Sequence, residues 1–411
     1  MIMKNKMIVL LIVLLNCILL CSCEYAQQKE VKKVIVDESD DFVTYEGASM
    51  AATSDGYYIM QGGFLYFVSS DFSQSTIVCD KLVCVHNDSG VNNLNDYYEC
   101  NAYFGTGTPI INYSGDFLYI SGTDPNSRGE IIQKVSTDGS EKTVCYKTAG
   151  DICGFCIYGG KAYIGEESYT ADNKIQKIIS FPLDNPDEVE EIYETEEYPS
   201  STMNRMKCKN GYCYFYLFNP EDLENESVYI SIDLNTKEAE LLYKPSPCWI
   251  EAGQKRSIMQ VREYQSIEPL IWTEEYYSIP TEDGELHIPS DTEKMQQLTK
   301  DDFASIGNHE LLRNMDEDYV YFISVNYGDQ AVPQEDQKIH VYSQDGQMAA
   351  EISAAELGEL YYILPGNEDY MFIQVVPIMD GVYNPANIFY YVDKSEFNGG
   401  TVEAHRIDIS S

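Results

Sequence analysis

Short aromatic and β-branched segments, each preceded by a tight turn of Gly, Asn or Asp, recur along most of the chain. Such turns supply positive φ, and the segments after them have the composition of strands. A further, degenerate unit is predicted near Ser257–Leu270, where 257–261 could form a strand. The six clearest predicted hairpins begin at 55–59, 115–120, 159–164, 210–215, 317–323 and 368–373.

The second half of each unit contains a strand, an Asp-Gly or Asp-Leu turn and another strand, as in 132–146 and 228–243. Each unit therefore has four strands and recurs about every 40 to 55 residues, the period of propeller blades. One four-stranded sheet cannot bury both of its faces, whereas sheets stacked around an axis can.

The pattern predicts an all-β fold, a β-propeller of seven four-stranded blades. Six or eight blades would also fit, because blade closure often mixes strands from both termini. A pair of β-sandwiches is the alternative architecture. Helix is scarce, and the two candidate helices are Asp291–Phe303 and Ala354–Leu360.

The N-terminus has the features of a lipoprotein signal peptide. Lys4 and Lys6 precede an apolar run, Met7–Leu20, that is shorter than the roughly 20 residues of a spanning helix. Leu20-Cys21-Ser22-Cys23 fits the pattern that lipoprotein signal peptidase cleaves. We therefore predict removal of a signal peptide at 1–22, a lipid on the Cys23 thiol with a flexible tether over 23–41, and a propeller domain over 42–411. An uncleaved anchor is the alternative.

This processing would place the protein on the extracytoplasmic face of the cell membrane, held there by its lipid. The formal net charge of −40 predicts a solvated acidic exterior that repels nucleic acid and anionic lipid headgroups. Nucleic acid is therefore not an expected partner. The 34 tyrosines suit half-buried positions on pleated strands.

The cysteines after Cys23 are odd in number, and outside the cytoplasm disulfides are the default expectation. A two-residue turn at Asn210-Gly211 would place Cys208 opposite Cys213, at a separation that suits a disulfide. Cys145 could pair with Cys153 or Cys156, and Cys248 is the candidate unpaired thiol. The disulfide candidates are Cys79, Cys84, Cys100, Cys145, Cys153, Cys156, Cys208 and Cys213.

Cys153-Gly154-Phe155-Cys156 has the spacing of a redox dithiol. That chemistry needs a helix N-terminus to lower the thiol pKa, whereas the residues that follow Cys156 read as strand and turn. The redox interpretation is therefore disfavoured, and pairing of one of these cysteines with Cys145 is preferred.

The most distinctive local pattern is Cys79-x4-Cys84-x-His86, followed by Cys100 ahead of Ala102-Tyr103-Phe104. Three cysteines and a histidine could make a tetrahedral Zn²⁺ site, and one disulfide with a spare thiol is the alternative. The segment 55–104 resembles propeller-like lipoproteins of Clostridia and related Gram-positive bacteria, most of unknown function. It departs from them at Leu82, where they usually have Pro. The resemblance implies a cell-surface β-propeller and supplies no catalytic residues.

Motifs for catalysis are absent from the sequence. It has no His-Glu-x-x-His, no Gly-x-Ser-x-Gly elbow and no phosphate-cradling loop, so we assign no catalytic residue and no cofactor. His287, His340 and His405 are isolated in the sequence and are expected to be surface or strand residues. The acidic turns 316–318 and 367–369 lack the ligand spacing of known Ca²⁺ loops, so solvated turns are the favoured interpretation.

These features favour a membrane-anchored module that binds or senses a ligand at the central mouth of the propeller. The expected partner is an envelope protein, a peptide or a glycan. The alternative is a propeller enzyme, a hydrolase or lyase acting on extracellular glycans or peptides. It predicts clustered carboxylates, His or Arg at the mouth. A structural role in envelope assembly is a third interpretation.

Overall fold

Seven antiparallel sheets follow one another along the chain and close into a ring, so the prediction of a seven-bladed all-β propeller is confirmed and the pair of β-sandwiches is wrong. The structure is a computed structural model. The predicted signal peptide and tether lie outside the described residues. These are 49–409 apart from positions 83, 85, 87–98, 106–108, 125–128, 171–172, 210, 220–227, 244–247, 253–255, 267–270, 283–284, 287–294, 305, 307–309, 325–332, 334–335, 356, 358–360, 365, 376–377, 380–381 and 384–386.

The blades are numbered in chain order, and their strands are named from the axis outward. Blade 1 contains β1 (Met50–Ala52), β2 (Gly56–Gln61), β3 (Phe64–Ser69) and β4 (Ser75–Ile77), and blade 2 contains β5 (Ile111–Ser114), β6 (Phe117–Thr123), β7 (Glu130–Ser136) and β8 (Lys142–Lys147). Blade 3 contains β9 (Asp151–Tyr158), β10 (Lys161–Tyr169), β11 (Lys174–Pro182) and β12 (Glu190–Thr195). Blade 4 contains β13 (Thr202–Lys209), β14 (Tyr212–Phe218), β15 (Val228–Asp233) and β16 (Ala239–Tyr243).

Blades 5 to 7 complete the ring and carry the irregular strands. Blade 5 contains β17 (Cys248–Ala252), β18 (Arg256–Ser266), β19 (Ile271–Glu282), β20 (Glu285–Leu286) and β21 (Gln296–Leu298). Blade 6 contains β22 (Glu310–Met315), β23 (Tyr319–Ser324), β24 (Lys338–Ser343) and β25 (Met348–Ser353), and β31 (Gly400–Val402) from the C-terminus pairs parallel to β25 at its outer edge. Blade 7 contains β26 (Tyr361–Leu364), β27 (Tyr370–Val375), β30 (Ile388–Asp393) and β32 (His405–Arg406), with the separate hairpin β28 (Ile378–Met379) and β29 (Val382–Tyr383) between β27 and β30.

The only helix whose bounds both lie within the described residues is a 3₁₀ turn at Lys394–Glu396. The predicted helix at Asp291–Phe303 is wrong, because Gln296–Leu298 pairs with β19 as the fourth strand of blade 5. The described part of the second candidate, Ala354–Leu360, consists of turns. No helix within the described ranges is long and apolar enough to cross a membrane.

The hydrophobic core is divided into seven clusters, and each cluster fills the space between two neighbouring blades. Each blade thus buries one face against the preceding blade and the other against the next. This arrangement explains why strands that are apolar on both sides, such as β14, can be stable in a protein with so acidic an exterior.

The ring closes between blades 7 and 1 by side-chain packing. No described N-terminal strand joins blade 7, whose outer strand β32 comes from the C-terminus instead. Phe72, at a left-handed φ of 58°, stacks 3.9 Å from the ring of Tyr391 in blade 7 and 5.3 Å from the ring of Tyr57 in blade 1. Phe372 of blade 7 also meets Tyr57 edge-on, with the ring centroids 4.8 Å apart.

Buried polar side chains reinforce contacts between blades near the axis. The backbone N–H of Ser49 donates to Gln374 Oε1 over 3.1 Å, which joins blade 1 to blade 7. Asn112 Nδ2 donates to the Phe155 carbonyl over 3.2 Å, from blade 2 to blade 3. Asn314 of blade 6 makes the same kind of bond, 2.9 Å long, to a carbonyl of blade 7.

Candidate functional site

The connections before and after the second strand of each blade differ in length. Because the strands of each blade are antiparallel, all connections between second and third strands emerge at one end, and all turns between first and second strands at the other. We call the first end the loop face. The connections between second and third strands are 62–63, 124–129, 170–173, 219–227, 267–270, 325–337 and 376–387. The turns between first and second strands are 53–55, 115–116, 159–160, 210–211, 253–255, 316–318 and 365–369.

A cluster of cysteines and a histidine forms where the chain leaves blade 1. The ligand atoms of Cys79, Cys84, His86 and Cys100 all lie within 4.8 Å of one another. Within the described part of the chain, they are the only His, Cys, Asp or Glu group with such geometry. The structure thus brings together all four residues that the sequence pattern singled out.

Backbone pairing and a turn hold these four residues in place. Cys79 follows β4 after one residue. The segment that follows Cys100 pairs with blade 1, where the Leu65 N–H donates to the Ala102 carbonyl over 2.8 Å and the Phe104 N–H to the Gly63 carbonyl over 2.9 Å. Cys100 is therefore fully buried, whereas the other three members are half-buried.

The thiols of this cluster differ in acidity. Burial alone would raise the pKa of Cys79, but hydrogen bonds from the Lys81 N–H, His86 and the Asn101 N–H outweigh it and lower the pKa to about 7. Burial raises the pKa of Cys84. It also raises the pKa of Cys100 to about 12, with added contributions from the two neighbouring thiols.

A lysine from blade 2 lies beside the cluster. Lys142 Nζ donates to the Cys100 carbonyl and, over 2.9 Å, to the Tyr103 carbonyl. Burial lowers its pKa to about 8. From the same blade, the Gly139 carbonyl accepts a 2.7 Å hydrogen bond from Asn101 Nδ2. The cysteine cluster therefore occupies the wedge between blades 1 and 2.

A second cysteine group lies between blades 3 and 4. The predicted register is confirmed, because Cys208 pairs with Cys213 across the β13–β14 hairpin. The group also includes Cys156 of β9, whose Sγ lies 3.2 Å from Cys208 Sγ. All three are buried, and burial raises the pKa of Cys208 well above its usual value.

The expected disulfides are not present among the described cysteines. No disulfide joins any of Cys79, Cys84, Cys100, Cys145, Cys153, Cys156, Cys208 and Cys213. Pairing of Cys145 with Cys153 or Cys156 is not found. Cys156 lies on an inner strand beside Cys208. Cys145 lies instead on the outer strand β8, where its thiol donates to the Ile132 carbonyl. As predicted, the residues after Cys156 form the end of β9 and a turn, so no helix N-terminus follows the two cysteines. The side chain of Cys248 lies outside the described residues.

His340 lies on strand β24, as the sequence predicts, and carboxylates from two other strands flank its ring. Its Nδ1 lies 2.6 Å from Glu310 Oε1, and its Nε2 lies 3.3 Å from Glu351 Oε2. Burial alone would lower the pKa of His340, but the two carboxylates outweigh it and raise the pKa. Nothing in the local sequence predicts this group, because its members come from three different strands of blade 6.

The acidic turns are built from internal hydrogen bonds. Asp316 Oδ1 accepts from the backbone N–H groups of Asp318 and Tyr319, over 3.0 and 2.7 Å, and its Oδ2 accepts from Tyr321 Oη and Lys394 Nζ. Both carboxylate oxygens are thus engaged in shaping the turn, which agrees with a structural use of these acids. Of the other isolated histidines, His405 packs against Tyr391, and His287 lies outside the described residues.

No family model matches the chain, and no curated protein matches it. Solved structures with the same architecture are similar to it at low sequence identity. A prolyl endopeptidase covers 92% of this chain at 10% identity with a TM-score of 0.56, and this chain spans about half (50%) of that one.

Two further structures show the same general likeness. An oligogalacturonate lyase solved with manganese covers 86% of this chain and 89% of its own, at 12% identity and a TM-score of 0.47. The β-propeller domain of a trilobed protease from Pyrococcus furiosus covers 69% and 88%, at 12% identity and a TM-score of 0.41. These likenesses concern the fold alone.

Proposed function

We propose that this protein is an extracytoplasmic lipoprotein whose propeller binds a ligand on the loop face. The observation that carries the proposal is that tight turns join most first strands to second strands, whereas longer connections join most second strands to third strands at the loop face. Long connections held on a rigid scaffold are where binding residues concentrate. The ends of the second strands of all seven blades lie at the loop face around the axis, so one ligand can contact several blades at once.

The charge of the chain limits the class of ligand. A net charge of −40 opposes polyanions, including nucleic acid and acidic polysaccharides. Neutral or cationic peptides and neutral glycans are therefore the ligands that we propose, either free or as part of an envelope protein. Their source would be the cell envelope, to which Cys23 anchors the chain.

A thermal-unfolding screen tests the binding proposal. The purified full chain in detergent is heated with neutral and cationic peptides and with neutral glycan oligomers. A ligand at 100 times its Kd stabilises the folded state by about 2.7 kcal/mol. The shift should vanish when the blade 6 connection 325–332 is shortened and persist when the opposite-end turn 159–160 is changed from Gly-Gly to Asn-Gly. A screen without any shift, or a shift that only the control variant loses, would contradict the proposal.

Metabolic labelling tests the anchor separately. Cells that express the chain are grown with a labelled fatty acid, and the protein is recovered. The label should be lost in Cys23→Ala and retained in the matched control Cys21→Ala, because only one cysteine stands at the proposed cleavage site. Equal labelling of both variants would exclude Cys23 as the lipidated residue.

The group around His340 favours a second candidate function, a hydrolase or lyase acting on extracellular glycans or peptides. Glu310 begins β22, His340 lies near the start of β24 and Glu351 near the end of β25, so all three lie towards the loop face. An imidazole between two carboxylates can act as a general acid. His340→Gln should abolish product release from glycan or peptide substrates while His405→Gln leaves it intact. Absence of turnover in the unmodified chain would remove this candidate.

A further inference from the structure

The four convergent side chains at the start of the insertion after blade 1 have the composition of a zinc centre. We propose that Cys79, Cys84, Cys100 and His86 bind one Zn²⁺ ion with their three sulfurs and one imidazole nitrogen. In a tetrahedral site with Zn–S bonds of about 2.3 Å, neighbouring sulfurs lie about 3.8 Å apart. The four ligand atoms already lie within 4.8 Å of one another, so shifts of about 1 Å would close the shell.

The donor set selects the metal and its role. Thiolate and imidazole ligands suit Zn²⁺, whereas Ca²⁺ and Mg²⁺ require oxygen ligands. Four protein ligands fill a tetrahedral shell and leave no position for water or substrate. The site is therefore structural, and it is independent of any ligand bound at the loop face.

Zinc uses all four side chains, which a disulfide cannot do. A disulfide between any two of the sulfurs would leave the third thiol and the imidazole without a covalent or metal partner. Cys100 is fully buried, and the buried Nε2 of His86 has no hydrogen-bond partner within the described residues. A buried polar atom without a partner costs about 1–3 kcal/mol. Coordination of the ion through Nε2 would remove that cost.

The backbone around the cluster is arranged for metal-bound sulfur. The Lys81 and Asn101 N–H groups point at Cys79 Sγ, and the Ala102 N–H points at Cys100 Sγ. Such N–H groups stabilise a thiolate and fix its orientation, which is what outer-shell partners of metal sites do. Three thiolates and one Zn²⁺ leave a single net negative charge, and the ammonium of Lys142 lies on the adjoining carbonyls of the Cys100 segment.

The position of the site explains what the ion would stabilise. Cys79 and Cys100 stand at the two ends of the insertion between blades 1 and 2, so one ion would close its base. Tyr103 and Phe104, which follow directly, pack into the core between those two blades. The zinc would therefore hold the wedge between blades 1 and 2 in place, in a domain that otherwise closes by side-chain packing.

Metal analysis of the full chain, purified in detergent without chelators, tests the proposal. We expect about one Zn²⁺ per chain. Exchange for Co²⁺ should give the near-ultraviolet thiolate charge-transfer band and the intense visible bands of a tetrahedral cobalt site. Cys84→Ser and His86→Ala should each reduce zinc content severalfold. Cys153→Ser, a half-buried cysteine outside the cluster, is the matched control and should leave zinc content unchanged.

Mass spectrometry of the unreduced protein completes the test. The proposal requires Cys79, Cys84 and Cys100 to be alkylated only after the metal is removed. A disulfide between any two of them, or a chain without zinc that also fails to give the cobalt spectrum, would overturn it. If His86→Ala does not fold, the cobalt spectrum of the unmodified chain and this thiol mapping still decide the question.

Discussion

Replacement of Phe372 by Ala should weaken the junction between blades 7 and 1. Phe372 is fully buried, and its ring lies edge-on to Tyr57 across that junction. Truncation of a buried Phe to Ala typically costs about 3–5 kcal/mol, and this figure includes the cavity that remains. That is a large fraction of the total stability of about 5–15 kcal/mol that most native proteins have.

The loss of stability in Phe372→Ala should be concentrated at the junction between blades 7 and 1. No described strand is exchanged between the two termini at this junction, so side-chain packing alone keeps the ring shut there. Phe181→Ala is the matched control, because Phe181 is equally buried but lies between blades 2 and 3, which the chain connects directly. Both variants should lose a similar free energy of unfolding in urea.

Hydrogen exchange followed by mass spectrometry separates the two variants. Phe372→Ala should accelerate exchange selectively in β1, β2, β26 and β27, because the ring opens there before it unfolds. Phe181→Ala should not accelerate exchange in those strands beyond its effect on overall stability. Uniform acceleration in all seven blades of Phe372→Ala would refute the reasoning that the terminal junction opens separately.

Three further predictions concern single sites. Gly346→Ala should destabilise the folded state strongly in urea unfolding, because the new Cβ would lie 1.8 Å from the Asp302 carbonyl oxygen. In Gly159→Ala the new Cβ would have no atom within 4 Å, so backbone strain should cost only about 1–2 kcal/mol of unfolding free energy in the same assay. Asn314→Ala should cost about 1–3 kcal/mol by the same measurement, because a buried carbonyl loses its donor. The pKa of His340 is raised on folding, so its contribution to stability is fully present below pH of about 6.5 and lost as pH rises through the folded pKa. A melting temperature whose pH dependence above 6.5 is unchanged in His340→Gln would contradict this.

The repeated second strands carry the signal that made the fold predictable. The six predicted hairpins correspond to β2, β6, β10, β14, β23 and β27, and the degenerate unit corresponds to β18. Second strands are buried on both faces between neighbouring blades, so they must be aromatic and β-branched, and they follow tight turns that need Gly, Asn or Asp.

Other elements could not be found in this way because tertiary contacts define them. The inner strand β9 includes Gly154, where a Cβ would lie 2.6 Å from Cβ of Met206 in blade 4, so its glycine reflects a close approach of two blades. The polar residues before Gln296–Leu298 resemble a helix start in the sequence. Gln296–Leu298 is nevertheless a strand, because it pairs with the edge of β19.

The candidate metal site was predictable because its ligands are close in the sequence. Cys79, Cys84 and His86 lie within one short segment, and the spacing itself limits the chemistry. The contact between Cys156 and Cys208 was not predictable, because it depends on the packing of β9 against β13. The same holds for Glu310 and His340, which meet only through the pairing of strands within blade 6.

Hydrogen-exchange footprinting of the full chain with a ligand from the thermal screen tests whether the loop face is the binding surface. Exchange should be slower in 219–227, 325–337 and 376–387 when the ligand is bound. Protection confined to the tight turns 115–116, 159–160 and 316–318 would contradict it.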